Sequence, residues 1–113
     1  MLLVLQSLLI VSCKKTANTT CAGYTFYIPD SFSPNGDGLN DTFGPKGEGT
    51  VNFEMWIYDA NNKLIYHTAS ITVPWDGSVN GTICQQGAYI YIMNSTDECG
   101  NNHTYTGTVY LIK

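Results

Sequence analysis

The chain has 113 residues and a formal net charge of −4, with five Lys and Arg against nine Asp and Glu. Only Lys14 and Lys15 are adjacent basic residues, so no basic surface exists to displace counterions from a phosphate backbone, and nucleic acid is excluded as a partner. Charged residues are 12% of the chain, about half the usual share; Asn, Thr, Gly and Tyr take their place, which suits strands and turns rather than a long solvated helix.

Residues Met1 to Ser12 read MLLVLQSLLIVS. As a helix, this run spans about 18 Å, too short for a bilayer core of about 30 Å but sufficient for a signal-peptide core. Ile10-Val11-Ser12-Cys13 resembles a bacterial lipobox. That resemblance makes residues 1–12 a signal peptide and Cys13 the lipid-bearing first residue of the mature chain. Residues 13–23 then read as the lipidated cysteine with a short polar tether, ahead of a domain over 24–113.

From Tyr24 onward no 3.6-residue period is visible. Tyr24 to Ile28 alternates and stops at Pro29, as a strand does. Val51 to Tyr58 places Val51, Phe53, Met55 and Ile57 on one face and Glu54, Trp56 and Tyr58 on the other. Asp59-Ala60-Asn61-Asn62 is turn chemistry, with Lys63 to Thr68 returning as the second arm of a hairpin. Ala88 to Met93 is dense in β-branched and aromatic residues, Asp97 to Asn102 turns the chain, and His103 to Ile112 alternates again through Tyr105, Val109 and Leu111. The pattern predicts an all-β fold, an antiparallel sandwich of five to seven strands.

Four segments in order carry a more specific signal. They are Tyr27-Ile28-Pro29-Asp30-Ser31-Phe32-Ser33-Pro34-Asn35-Gly36-Asp37-Gly38-Leu39-Asn40-Asp41-Thr42-Phe43, Asn52 to Tyr58, Pro74-Trp75-Asp76-Gly77, and Gly87 to Tyr91 with a closing Thr106 to Lys113. Together they resemble the gliding motility-associated C-terminal domain, the type B sorting domain of the type 9 secretion system. The likeness covers about residues 24–113. It implies an immunoglobulin-like sandwich, no catalytic activity and no required cofactor. It also implies recognition by an outer-membrane translocon and its type B accessory protein, with delivery to the outer membrane, cell surface or medium of a Gram-negative bacterium. Pro34, Asn35, Gly36, Asp37, Gly38, Asn40 and Asp41 form the family's motif and its expected recognition loop. Where the family usually shows Arg-Trp-Gly after Tyr58, this chain has Asp59-Ala60-Asn61-Asn62.

The same loop offers closely spaced oxygens. Asn35, Asp37, Asp41 and the Leu39 carbonyl are candidate Ca2+ ligands, although the twelfth-position Glu of an EF-hand is missing. The favoured alternative is a pair of structural turns in which the Asx side chains satisfy backbone groups. Trp75-Asp76-Gly77 reads as a core-filling Trp followed by a turn, in preference to a ligand-stacking Trp. His67 and His103 lack metal-ligand spacing and are expected in solvent. No nucleophile motif supports an enzyme. In an oxidising compartment, Cys21 is expected to pair with either Cys84 or Cys99 and so pin the first strand to the sandwich. A surface lipoprotein module binding calcium or glycan is the alternative function.

Overall fold

The computed structural model describes residues 21–113. The segment read as a signal peptide and the lipidation residue Cys13 lie outside the described residues. Nine strands follow in order: β1 (Thr25–Tyr27), β2 (Ser31–Phe32), β3 (Lys46–Glu48), β4 (Thr50–Tyr58), β5 (Leu64–Thr68), β6 (Ser78–Val79), β7 (Thr82–Ile83), β8 (Gly87–Asp97) and β9 (Asn102–Leu111). No helix occurs among the described residues. The all-β expectation holds. The count exceeds five to seven because four short pieces, β2, β3, β6 and β7, sit in stretches that read as loop in sequence.

The main sheet runs β2-β9-β8-β4-β5. Its pairs are antiparallel except β2 with β9, which is parallel through Tyr110↔Ser31 and Leu111↔Phe32. Alternation along the long strands builds one buried face, because successive side chains of a strand point to opposite sides. β4 contributes Phe53, Met55 and Ile57, β8 contributes Tyr89 and Met93, and β9 contributes Val109 and Leu111. The second layer consists of the β1–β3 and β6–β7 ribbons and the segments between strands. From it, Phe43 and Trp75 complete the core, with Phe26, Ile28 and Ile71 packed at its margin.

Val51 departs from its expected face. Thr50 pairs with Asp97 and Asn52 with Thr96, so Val51 is the extra residue of a bulge and stands 55% exposed. A bulge shifts the pleat by one residue, and from Asn52 onward the expected alternation holds. The Asp59–Asn62 turn forms as its composition suggests. The Asp59 carboxylate accepts the N–H groups of Asn61 and Lys63 at 2.8 and 3.0 Å, and Asn62 adopts φ +62°.

Cys21 and Cys99 form a disulfide with Cα atoms 5.9 Å apart, and Cys84 is free. Cys21 is buried. The bond ties the approach to β1 onto the turn between β8 and β9. Beside it, the N–H of Cys99 and both the N–H and side-chain amide of Asn101 donate to the buried Asp97 carboxylate.

Candidate functional site

The motif loop leaves the core at Phe32, which is 2% exposed. The Ser33 N–H donates to the Asn40 carbonyl at 2.7 Å and closes the loop at its base. Inside, the side chains hold the backbone. Asn35 Oδ1 accepts from the Asp37 N–H at 3.1 Å, and Asp37 Oδ1 accepts from the Leu39 N–H at 2.8 Å. Asp41 reaches back with both oxygens, accepting from the Gly36 N–H at 2.9 Å and the Gly38 N–H at 2.7 Å. The path needs left-handed backbone at Gly36 (φ +79°), Gly38 (φ +84°) and Asn40 (φ +52°). Only Gly, and to a lesser degree Asn, adopts that region without a steric cost. This accounts for the order of residue types: short acceptors alternate with positions of positive φ. Leu39 is carried outward at 71% exposure.

Of the candidate calcium ligands, Asn35, Asp37 and Asp41 therefore each have at least one side-chain oxygen engaged with a backbone amide. Among the described residues, the metal-ligating types cluster as a group of three only at Cys21, Asp97 and Cys99. The two sulfurs there are joined to each other and offer no thiolate.

Trp75 is fully buried and fills the core beneath this loop. Its ring centroid lies 5.4 Å from Phe32 and 5.3 Å from Tyr89, and its Nε1–H donates to the Ser78 carbonyl at 3.0 Å. Trp75 also exchanges backbone hydrogen bonds with Phe43 at 2.8 and 2.9 Å, which clamps the far end of the motif segment. The Asp76 carboxylate accepts from the Ser78 N–H and hydroxyl at 2.9 and 2.6 Å. Gly77 adopts φ +83°, and a Cβ added there would stand 3.0 Å from Pro34 Cγ, 3.2 Å from Phe32 Cε2 and 3.3 Å from Leu111 Cδ1. Three segments distant in sequence thus converge: Pro34 at the loop entry, Gly77 of the Trp-Asp-Gly turn, and Leu111 near the C-terminus. The Ile112 N–H donates to the Phe32 carbonyl at 2.9 Å and holds the end of the chain beside the loop base.

His67 is exposed, as expected, and lies 2.7 Å from Glu54. His103 is not in solvent. It is partly buried, its Nε2 sits 2.9 Å from Asp97 Oδ2, and its ring stacks on Tyr24 with centroids 4.4 Å apart. The cause is the inward alternation of β8, which continues past Met93 through Ser95 to Asp97 and brings a carboxylate to the inner face. Extending the Ala88–Met93 alternation by four residues would have revealed this. Burial acts to raise the Asp97 carboxyl. Hydrogen bonds from His103, the Asn101 N–H and side chain, and the Cys99 N–H outweigh it and lower the pKa to about 2.

Residues 26–111 match the family described as the CHU_C type IX secretion signal domain. No curated protein matches the chain. The family is a sorting signal and not a catalytic one. Its match takes in the motif loop, the Trp75–Gly77 turn and the two longest strands, well over half of the sequence, and the chain belongs to the type IX secretion signal domain family.

Proposed function

We propose that the outer-membrane translocon, with its type B accessory protein, reads this domain at the end where Pro34–Asp41, Gly77 and the C-terminal strand converge. The sorting role comes with the family: the chain is marked for export through the type IX system toward the cell surface or medium. The observation that carries the choice of end is the loop's internal bonding. Four side-chain-to-backbone hydrogen bonds fix a shape that presents Leu39 and exposed backbone. A surface ordered before binding loses little entropy on recognition. In this reading the Asx side chains act as turn-forming acceptors, and sorting requires no calcium and no other cofactor.

Residues 1–12 direct the chain into the periplasm in this reading, and the acylated Cys13 anchors it in the outer membrane. The support is the length of the apolar run and the Ile10-Val11-Ser12-Cys13 spacing.

The test is an export assay on the full chain with a periplasm-stable fluorescent reporter inserted between Lys15 and Thr16. Asp41→Ala removes the two bonds to Gly36 and Gly38 and leaves the core untouched. Surface display is expected to fall sharply while the melting temperature changes little. Wild-type display by a folded Asp41→Ala chain would overturn the assignment of this loop.

A further inference from the structure

β9 is ten residues long. Among the described residues, only Tyr110 and Leu111 have a strand neighbour on the side away from β8. The Tyr110 N–H donates to the Asp30 carbonyl and the Ile112 N–H to the Phe32 carbonyl, both at 2.9 Å, so these even-numbered residues aim their backbone groups at that side. Strand alternation aims the N–H and C=O of Thr104, Thr106 and Thr108 the same way. None of these groups has a partner among the described residues. Upstream of Asp30 the chain leaves this edge at Pro29, and β1 pairs with β3 instead.

The two edges of the sheet differ in protection. β5 is five residues long, faces a register shift at Ile57/Tyr58 and is flanked by Lys63. Its Tyr66 hydroxyl is bonded to the carbonyls of Val73 and Pro74 on the inner face, opposite the strand position of Ile57. β9 has no charged residue and no proline between Thr104 and Ile112, and its register with β8 is unbroken over ten pairs. Native sheets ordinarily guard a long edge with charge, proline or a bulge, because unpaired backbone is a template for another strand.

We infer that an extended segment of the export machinery adds to β9 as a strand alongside Thr104–Thr108, extending the sheet next to β2. This inference rests on the sorting reading above. The unpaired backbone sets the chemistry of the partner: an extended peptide that supplies alternating N–H and C=O groups. Its side chains on one face lie beside the three threonines, and on the other beside the Phe26–Tyr105 stack, whose centroids are 4.4 Å apart. Recognition through backbone bonds tolerates variation in side chains, which suits a signal shared by different chains.

The test uses the same full-length reporter chain. Thr106→Pro removes an N–H that points away from β8, so it blocks strand addition without breaking a bond inside the sheet, while Thr106→Val keeps the N–H. A Thr104→Lys/Thr106→Lys chain guards the edge by charge and preserves the backbone, which covers a misfolded proline variant. The expected result is display of the wild type and Thr106→Val, and loss of display for the proline and lysine chains to the level of a translocon-deficient host. Display by folded proline and lysine chains would overturn strand addition and leave the sorting reading standing. A wild-type chain retained in the periplasm would remove the sorting reading and strand addition with it. Amide exchange of the purified chain gives an independent check, with fast exchange expected at Thr104, Thr106 and Thr108. Slow exchange there would mean that the edge is already filled, by a second copy if it depends on concentration and by the chain's own N-terminal segment if it does not, and would also overturn the inference.

Discussion

His103 donates its Nε2–H to Asp97 across 2.9 Å at the closed end of the β8–β9 hairpin. Asp97 is 1% exposed and also accepts from Cys99 and Asn101, while the imidazole ring lies flat on Tyr24. One residue pair therefore joins the hairpin turn, the disulfide and the approach to β1.

This pair sets an acid limit on stability. The Asp97 carboxyl is lowered from its ordinary 3.8 to about 2 in the fold. A depressed carboxyl stabilises the fold fully above the unfolded value, and the contribution drains away as pH falls through the folded value. Urea melts of the wild type are expected to weaken between about pH 4 and about pH 2. In Asp97→Asn the neutral-pH stability is lower and this part of the acid decline is missing. An acid limb identical in both chains would contradict the assignment.

The Cys21–Cys99 bond closes a loop with a sequence separation of 78 residues. Constraining a loop of that length in the unfolded chain contributes about 4 kcal/mol. The double Cys21→Ser/Cys99→Ser chain is expected to melt on the order of 20 °C lower. Differential scanning calorimetry checks this, and Cys84→Ser serves as the control with a far smaller change.

Cys84 lines a groove of about 500 Å³ with Lys63, Leu64, Gln86 and Tyr89. Burial raises its thiol above the ordinary range; Asp59 and Asp76 add to the effect, while Tyr89 and Lys113 partly offset it. Fewer thiolates form at neutral pH, so alkylation is expected to be slow there and to accelerate as the pH rises. Peptide mapping by mass spectrometry after timed labelling follows the rate at this residue alone.

Gly77→Ala tests the convergence beneath the motif loop. The new Cβ meets Pro34, Phe32 and Leu111 at 3.0–3.3 Å on a backbone of φ +83°. Left-handed strain and overpacking together are expected to cost about 2–4 kcal/mol. Trp75→Ala, which empties the core next to it, is expected to cost about 3–5 kcal/mol. Chemical denaturation measures both, and a Gly77→Ala chain as stable as wild type would show that Pro34 and Leu111 yield freely.

How much of this was legible in the sequence depends on the range of the interaction. The long strands β4, β8 and β9 show in the two-residue alternation of Phe53, Met55 and Ile57, of Tyr89 and Met93, and of Val109 and Leu111, because alternation is a local consequence of one buried face. The Asp59–Asn62 turn and the Asx bonds of Asn35, Asp37 and Asp41 are local too, and their residue types announce them. Val51 misled because a bulge is set by the partner strand, and nothing within Thr50–Asn52 marks it. His103 misled because its environment comes from Tyr24 and Asp97, the first of them 79 residues away in sequence. The choice of Cys99 over Cys84 follows from the docking of the approach to β1 at the hairpin turn, a tertiary fact with no local signature. The open β9 edge was invisible for the same reason, since a short parallel neighbour such as β2 has no pattern of its own.

The most direct test of the account is the surface accessibility of the full-length reporter chain in a Gram-negative host with and without the type IX translocon. Antibody staining of intact cells is expected in the complete host and absent from the translocon mutant, with equal amounts of chain in both. Equal staining in the two strains, or none in either, would contradict a sorting domain read by that machine.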